Sequence, residues 1–415
     1  MPAAEGMAAG GWWRCRTVLR RFVADLVEGE LVRQRRSATG RARPWPQELA
    51  FDADLGVDSL ELLGLAAALA ESLHLHESGI EDYLLRERTL GGWLDVAQAG
   101  LERHSSQLTF RTSGSNGAPK ACRHSLAGLQ QEVEHHARVV GNRRRVLSAV
   151  PSHHIYGFLF NLLLPRALGL GADAFVDLRD SSPAWLARGA RPGDLVVAHP
   201  DYWQAVARAV PSLAPDVVGV TSTAPCPDAV SAAVEAAGIA RLVHVYGCSE
   251  SGGIGWRSGW RDPYRLLPHW DFVQGEDRLV RRRPDGSAEE IACQDRLDRL
   301  GEDLFRVAGR RDEAVQVGGV NVFPSRVVAA LLEHPLVEQA AVRLMRPDEG
   351  SRLKAFVVPA AGVQGEALLR ELDGWTATRL TAAQRPRAIR IGGRLPVGAG
   401  GKAADWSIDG KDAAI

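Results

Sequence analysis

Between Leu108 and Gly247, short runs of β-branched and aliphatic residues alternate with stretches in which apolar residues recur at helical spacing. Leu108–Thr112, Val146–Val150, Ala174–Val176, Leu195–Ala198, Val217–Thr221 and Leu242–Val245 read as strands. Pro183–Gly189, Tyr202–Val210 and Pro227–Ala237 read as helices between the later strands, the last opening on Pro and closing at Gly238. This alternation predicts an α/β fold with a large doubly wound, mostly parallel sheet, whose ligands sit beyond the carboxyl ends of the strands. From about residue 313 the pattern shortens to strands Ala314–Val317, Ala340–Leu344, Lys354–Val358 and Ala388–Ile391 with helices Ser325–Glu333 and Glu366–Arg379, a smaller α+β C-terminal domain. The first hundred residues differ again, being helical candidates around a segment, RQRRSATGRARPWPQ, that is too polar and proline-rich to pack. The expected division is a helical segment over 1–104, a core domain over 105–311 and a small domain over 312–415.

A chain of 415 residues suits two or three domains. Its 45% apolar and 24% charged content is that of a soluble globular protein, and Lys+Arg and Asp+Glu cancel at 50 each, so nothing asks for nucleic acid or an anionic membrane. The triplets Arg143-Arg144-Arg145 and Arg281-Arg282-Arg283 read as solvated loop or strand-end residues. Cys15, Cys122, Cys226, Cys248 and Cys293 lack a C-x-x-C pair or a zinc-like spacing and suit a reducing cytoplasm. The N-terminus has no apolar core of signal-peptide length. The longest apolar stretch, Phe158 to Leu170, is broken by Asn161, Pro165 and Arg166, so no membrane span is expected.

Chemistry enters with Thr112-Ser113-Gly114-Ser115-Asn116-Gly117-Ala118-Pro119-Lys120, directly after a predicted strand. Small hydroxyl and glycine residues let backbone N–H groups converge, and the lysine adds a point charge, so a polyphosphate is the natural guest. The glycine–lysine spacing is not that of a G-x-x-x-x-G-K-[ST] loop, and Ala121 stands where Ser or Thr would meet magnesium. Ser222-Thr223-Ala224-Pro225 and Val245-Tyr246-Gly247-Cys248-Ser249-Glu250 then close successive strands, where a nucleotide would lie.

In this order and spacing the motifs resemble those of the adenylate-forming superfamily of acyl-CoA synthetases, luciferases and peptide-synthetase adenylation domains. The resemblance implies an enzyme that uses ATP and Mg²⁺ to convert a carboxylic acid to an acyl-adenylate and passes the acyl group to a thiol. On that likeness Thr112, Ser113, Gly114, Ser115, Asn116, Gly117 and Lys120 would enclose phosphates, Ser222, Thr223 and Ala224 would line the adenine, and Tyr246 with Gly247 would stack beside it. Ser249 and Glu250 would serve phosphate and Mg²⁺. Asp295 and the Gly309-Arg310 pair resemble the ribose-binding motifs, and Asp312 the hinge on which the small domain moves. Leu395 to Lys402 resembles the motif whose lysine reaches the adenylation centre, where a mobile cation would stabilise charge built at the α-phosphate. Lys402, Glu250 and Lys120 are thus the expected catalytic residues. Departures exist: Cys293-Gln294 replace Thr-Gly, Arg326 replaces a glutamate, Asn116 replaces a threonine, and only 45 residues separate Glu250 from Asp295.

Val150-Pro151-Ser152-His153-His154-Ile155-Tyr156-Gly157 resembles the H-I-Y-G segment of 4-coumarate:CoA ligases. With GGVNVFPSRV and the short core, the likeness is to bacterial ligases linked to photoactive-yellow-protein chromophores, then to aryl-polyene ligases. It implies an aromatic acid, 4-coumarate- or hydroxybenzoate-like, in a pocket bordered by His154, Tyr156 and Gly252. His154 as an ordinary packed histidine stays open. His153 and the His135-His136 pair lack metal spacing and read as structural or surface residues.

Residues 51–98 resemble an acyl carrier protein, with Asp58-Ser59-Leu60 at a helix start and Leu60, Leu63 and Ala67 at helical spacing. Ser59 would carry phosphopantetheine in a working carrier fused to its loading enzyme. In the competing reading, the segment is a carrier-like replacement for the beginning of the ligase core. The thiol acceptor is therefore coenzyme A or a pantetheine carrier, and a non-catalytic carrier or scaffold with a degenerate ligase fold is the reading from another class.

Overall fold

The helical spacing of the first hundred residues is realised in α1 (Arg16–Arg35), α2 (Ser59–Leu73) and α3 (Leu90–Arg103). The structure is a computed structural model describing residues 11–35, 37, 39–112, 120–273, 278–310, 314–396 and 404–408. They form two compact units, the smaller comprising described residues of Gln294–Arg296 and Val307–Ile415 and the larger most of the remainder.

The three helices belong to the larger unit. Leu19, Phe22, Leu65, Leu69 and Trp93 share one apolar core with Leu108, Phe110, Phe158, Val197 and Val220. Phe158 meets Trp12, Phe22 and Phe110 edge-on, with ring centroids 5.0, 5.7 and 5.4 Å away. The buried Asp25 carboxylate accepts the Ser152 backbone N–H at 2.6 Å and the Arg179 guanidinium at 2.7 Å. The polar, proline-rich segment does pack: Trp45 is 2% exposed, and Arg43 pairs with both Glu28 and Asp180. Trp45 and the ion-paired Arg43 help to hold a segment whose average composition is hydrophilic, together with Arg35 on Glu61 and Arg41 on Asp54.

After α3 come β1 (Gln107–Thr112) and β2 (Lys120–Ser125), an antiparallel ribbon of their own rather than strands of the main sheet. α4 (Leu126–Val140) follows, then β3 (Arg145–Ser148), β4 (Phe175–Asp177), β5 (Asp194–Ala198), α5 (Pro200–Ala209), β6 (Val218–Thr221), α6 (Asp228–Ala236) and β7 (Arg241–Cys248). In the sheet they run β4-β3-β5-β6-β7, every neighbouring pair parallel. All residues of β5 and β6 are buried, which is why these strands read as uninterrupted apolar runs. β8 (Gly252–Arg257) and β9 (Tyr264–Leu266) extend the sheet antiparallel beyond β7, and β10 (Trp270–Phe272), β11 (Arg278–Arg282) and β12 (Ala288–Ala292) form a separate antiparallel sheet. These later strands are short and half polar, so their pattern was silent in the sequence.

The basic triplets are not wholly solvated. Arg145 is held 2.6 Å from the buried Asp194, and Arg281 is 7% exposed.

In the smaller unit, Val337–Leu344 pairs antiparallel with Leu353–Pro359, which pairs in parallel with Ala388–Ile391. Helices Pro324–Leu332 and Gly365–Arg379 contribute Val327, Leu331, Leu368 and Leu372 to a core with Leu353, Ala355 and Val357. Gly318 and Gly319, at φ of 56° and 78°, make the two-residue turn of the hairpin Val315–Val317/Val320–Val322. No helix of the described residues is long and apolar enough to cross a membrane.

Candidate functional site

The carboxyl ends of β6 and β7, where a doubly wound sheet receives its ligand, carry two of the sequence motifs. Beyond β6, Ser222 Oγ donates to the Val245 carbonyl at 2.9 Å, tying the first motif to β7. Thr223 has φ of 79°, a conformation that a β-branched residue adopts at a cost and that is found at ligand sites. Ala224 follows, half-buried. Tyr246 lies two residues beyond His244, where the parallel part of β7 ends, with its ring 5.7 Å from Tyr264 and 5.5 Å from Phe305, and its hydroxyl is 3.4 Å from Cys293 Sγ. Gly247 is required by close approach, since a Cβ there would stand 2.3 Å from the Gly252 carbonyl oxygen.

The turn from Ser249 to Gly253 is strapped from every side. Lys120, opening β2, places Nζ 3.0 Å from Glu250 Oε1. His124 Nε2 lies 2.7 Å from the Ser249 carbonyl, an acceptor only, so that nitrogen carries the proton. Arg281 donates to the Ser251 carbonyl at 2.9 Å and to the Gly128 carbonyl at 3.1 Å. Trp270 Nε1 donates to the Gly253 carbonyl at 2.7 Å, and the Gly253 N–H donates to Glu132 Oε1 at 2.9 Å.

The charges are set by these contacts. Burial works against ionisation of Glu250, but the hydrogen bond and charge of Lys120, with further hydrogen bonds from the Glu250 backbone N–H and Cys248, outweigh it and hold the carboxyl below the usual glutamate range. The same hydrogen bond raises the Lys120 ammonium above its ordinary value. A half-buried, ionised carboxylate at the end of a parallel strand suits a hard divalent cation.

The structure thus brings Lys120, Ser222, Ser249 and Glu250 to one end of the sheet through direct contacts. Thr112 ends β1, its side chain outside the described residues. Ser113, Gly114, Ser115, Asn116, Gly117, Asp312 and Lys402 lie outside the described residues altogether. Asp295 and Arg310 belong to the smaller unit, the Arg310 side chain again undescribed. His154 precedes a helical turn, exposed, its ring 4.0 Å from that of His153. Tyr156 is buried, and its hydroxyl faces the carbonyls of Ala198 and Val220 at 3.2 and 3.1 Å, the ends of β5 and β6. Gly252 opens β8 with φ of 73°.

Sequence reasoning passed over Arg281 and Glu132. A signal existed for both: Arg281 shares the period-two face of Leu279, and Glu132 lies one helical turn from Leu129 on the apolar stripe of α4.

Comparison with known proteins agrees with this geometry. Residues 87–272 match the AMP-binding enzyme family and residues 327–402 the AMP-binding enzyme C-terminal domain. The chain is 40% identical to a 4-coumarate–CoA ligase of Halorhodospira halophila over 92% of this chain and 97% of that one. It is 41% identical to a 4-coumarate–CoA ligase of Cereibacter sphaeroides over 88% and 87%. Among solved structures, an amide bond synthetase of Marinactinospora thermotolerans superposes with a TM-score of 0.59 at 18% identity, over 95% of this chain and 98% of that one. With two family domains in order and relatives alike from end to end, the chain belongs to the AMP-binding enzymes, as an adenylate-forming ligase.

Proposed function

We propose that this enzyme joins an aromatic carboxylic acid to coenzyme A at the expense of ATP. A carboxylate oxygen of the acid attacks the α-phosphorus of ATP and pyrophosphate leaves. The thiolate sulfur of coenzyme A then attacks the acyl carbon of the acyl-adenylate, and AMP leaves. The observation that carries this reading is the 3.0 Å contact of Lys120 with Glu250, which joins the end of the phosphate-loop motif to the Tyr-Gly-x-Ser-Glu motif at one strand end. The relatives named 4-coumarate–CoA ligase supply the acid and thiol classes.

In this reading Glu250 holds Mg²⁺, which supplies charge neutralisation for the phosphates. Lys120 orients them, Ser222, Thr223 and Ala224 flank the adenine, and Tyr246 stacks on it. Asp295 and Arg310 serve the ribose, and Lys402 is the cation of the first half-reaction, brought in by the small domain turning at Asp312. The helices before β1 are part of the ligase body, with Ser59 unmodified, and the enzyme works in the cytoplasm on free coenzyme A. The shared core of those helices with the sheet supports this.

Acid-dependent pyrophosphate release, followed by mass detection of acyl-AMP and acyl-CoA, tests the function across hydroxycinnamic, cinnamic, benzoic and fatty acids. Turnover confined to the aromatic acids is expected. No acid-dependent release, or release with fatty acids alone, would overturn the reading.

A further inference from the structure

Helical periodicity places Glu132 on the buried face of α4 together with Leu129, Val133 and His136. Its side chain is 0% exposed. One carboxylate oxygen has work to do: Oε1 accepts the Gly253 N–H at 2.9 Å and lies 3.4 Å from His136 Nε2. The other, Oε2, is buried and has no hydrogen-bond partner among the described residues. A carboxylate oxygen left this way is costly, and such orphans mark positions where a donor arrives from elsewhere.

The direction in which Oε2 faces is readable from Gly252. A Cβ on that residue would stand 2.7 Å from Oε2 and 3.8 Å from Ile155 Cδ1. Oε2 therefore packs against the bare Cα of Gly252, on the side shared with the Ile155-Tyr156-Gly157 segment. Gly252 is two residues beyond Glu250, within about 7 Å along the chain. An aromatic wall adjoins: the His136 ring is 4.9 Å from Phe160, and Phe160 is 5.2 Å from Tyr156. Phe160 sits in a π-helical turn, Phe158–Leu163, a widening of the helix that recurs at functional sites. Burial, the largest influence, opposes ionisation of Glu132, yet His136, Arg281 and His269 together hold the carboxyl below its usual range. The group is therefore an anion that accepts hydrogen bonds and donates none.

We propose that Glu132 determines which acid is used: Oε2 accepts a hydrogen bond from a hydroxyl or amino group at the end of the aromatic acid remote from its carboxylate. The inference rests on the aromatic acid–CoA ligase reading and narrows its substrate class to acids bearing a hydrogen-bond donor at that end. A role confined to bracing Gly253 would use Oε1 alone and leave the burial of an unpartnered Oε2 unexplained.

The test compares kcat/KM for 4-hydroxycinnamate, 4-aminocinnamate, 4-methoxycinnamate and cinnamate in the wild type and in Glu132→Gln. A hydrogen bond to a charged group is worth roughly ten- to a hundredfold. The wild type should favour the two donor-bearing acids over the other two by at least tenfold. In Glu132→Gln that preference should shrink severalfold, with 4-methoxycinnamate gaining relative to 4-hydroxycinnamate because an amide N–H can donate to the ether oxygen. Ratios measured on one preparation cancel any inactive fraction, and Glu132→Asp, which keeps the charge but draws the carboxylate back, gives a second variant in which the same preference should shrink. Equal rates with all four acids in the wild type, or one common factor of loss in the variant, would overturn this assignment alone. Absence of acid-dependent pyrophosphate release would overturn the ligase reading with it.

Discussion

Lys120 and Glu250 stand 130 positions apart in the chain and 3.0 Å apart in space. Each was legible as a member of a motif, because phosphate chemistry needs a cation and metal chemistry a carboxylate. Their mutual effect was not legible, since it depends on distance. Burial is the largest influence on Glu250 and would raise its carboxyl, while Lys120, helped by hydrogen bonds from the backbone and Cys248, brings it below the usual range. Removing the ammonium in Lys120→Met takes away the largest influence that opposes burial, and the acidic limb of the pH–rate profile for pyrophosphate release should move to higher pH. A loss of rate uniform across pH, with the limb in place, would restrict Lys120 to binding phosphate. Glu132 shows the limit of single-residue reading: a glutamate on an amphipathic helix looks like a solvated charge until the face it occupies is known.

At the scale of elements, the helix that opens at Ser59 was visible in detail. Asp58 accepts the N–H groups of Leu60 and Glu61 at 2.9 and 2.8 Å, and Glu61 returns the contact to the Asp58 N–H, a reciprocal cap written in the local sequence. What the spacing did not say is which stripe is buried. Leu62, Leu65, Leu69 and Leu73 enter the core, while Leu60 and Leu63 are 78% and 52% exposed. On the proposed reading, Ser59→Ala leaves turnover with free coenzyme A unchanged, and a broad-specificity phosphopantetheinyl transferase adds no mass to the wild type. Quantitative modification, with loss of product in the variant, would restore the carrier reading.

A second element-scale device lies in the small unit. Lys354 is wholly buried, 2.7 Å from Glu349 and 3.0 Å from Asp405, and its Nζ donates to the Trp406 carbonyl at 2.5 Å. Burial opposes the Glu349 charge, but Lys354 and the N–H groups of Arg346 and Ile408 pull the carboxyl down to about 2 from the ordinary 4.5. The folded state thus binds fewer protons than the unfolded chain. The stabilisation is whole above about pH 5 and is lost as the pH falls toward 2. In urea unfolding, Glu349→Gln should lower the midpoint of the small unit at pH 7 and much less at pH 3. Equal effects at both pH values would refute it.

For the whole molecule, the proposed reading assigns Lys402 to the first half-reaction alone. Lys402 lies outside the described residues, and the described residues on either side of it, Pro396 and Ala404, belong to the small unit. Ala404 N donates to the Pro396 carbonyl at 3.0 Å, and Trp406 packs on Phe356 beside Leu395. Lys402→Ala should abolish acyl-AMP formation and largely spare thioester formation from supplied acyl-AMP. Parallel loss of both, in folded protein, would remove that role.

What the sequence determined by itself was local: the strand and helix periods of the α/β core, the caps, and the order of motifs at strand ends. These depend on neighbours within a few residues, and β5 and β6 read correctly because burial on both faces leaves an unbroken apolar run. Only the tertiary structure decided that β1 and β2 leave the main sheet as a separate ribbon, that Trp45 and Arg43 anchor a proline-rich segment, and that Glu132 meets Gly253 across 121 positions. The β1–β2 hairpin is local and only its separation from the main sheet is tertiary, whereas the Arg43–Asp180 and Glu132–Gly253 contacts join distant positions through burial and charge that no window of the chain contains.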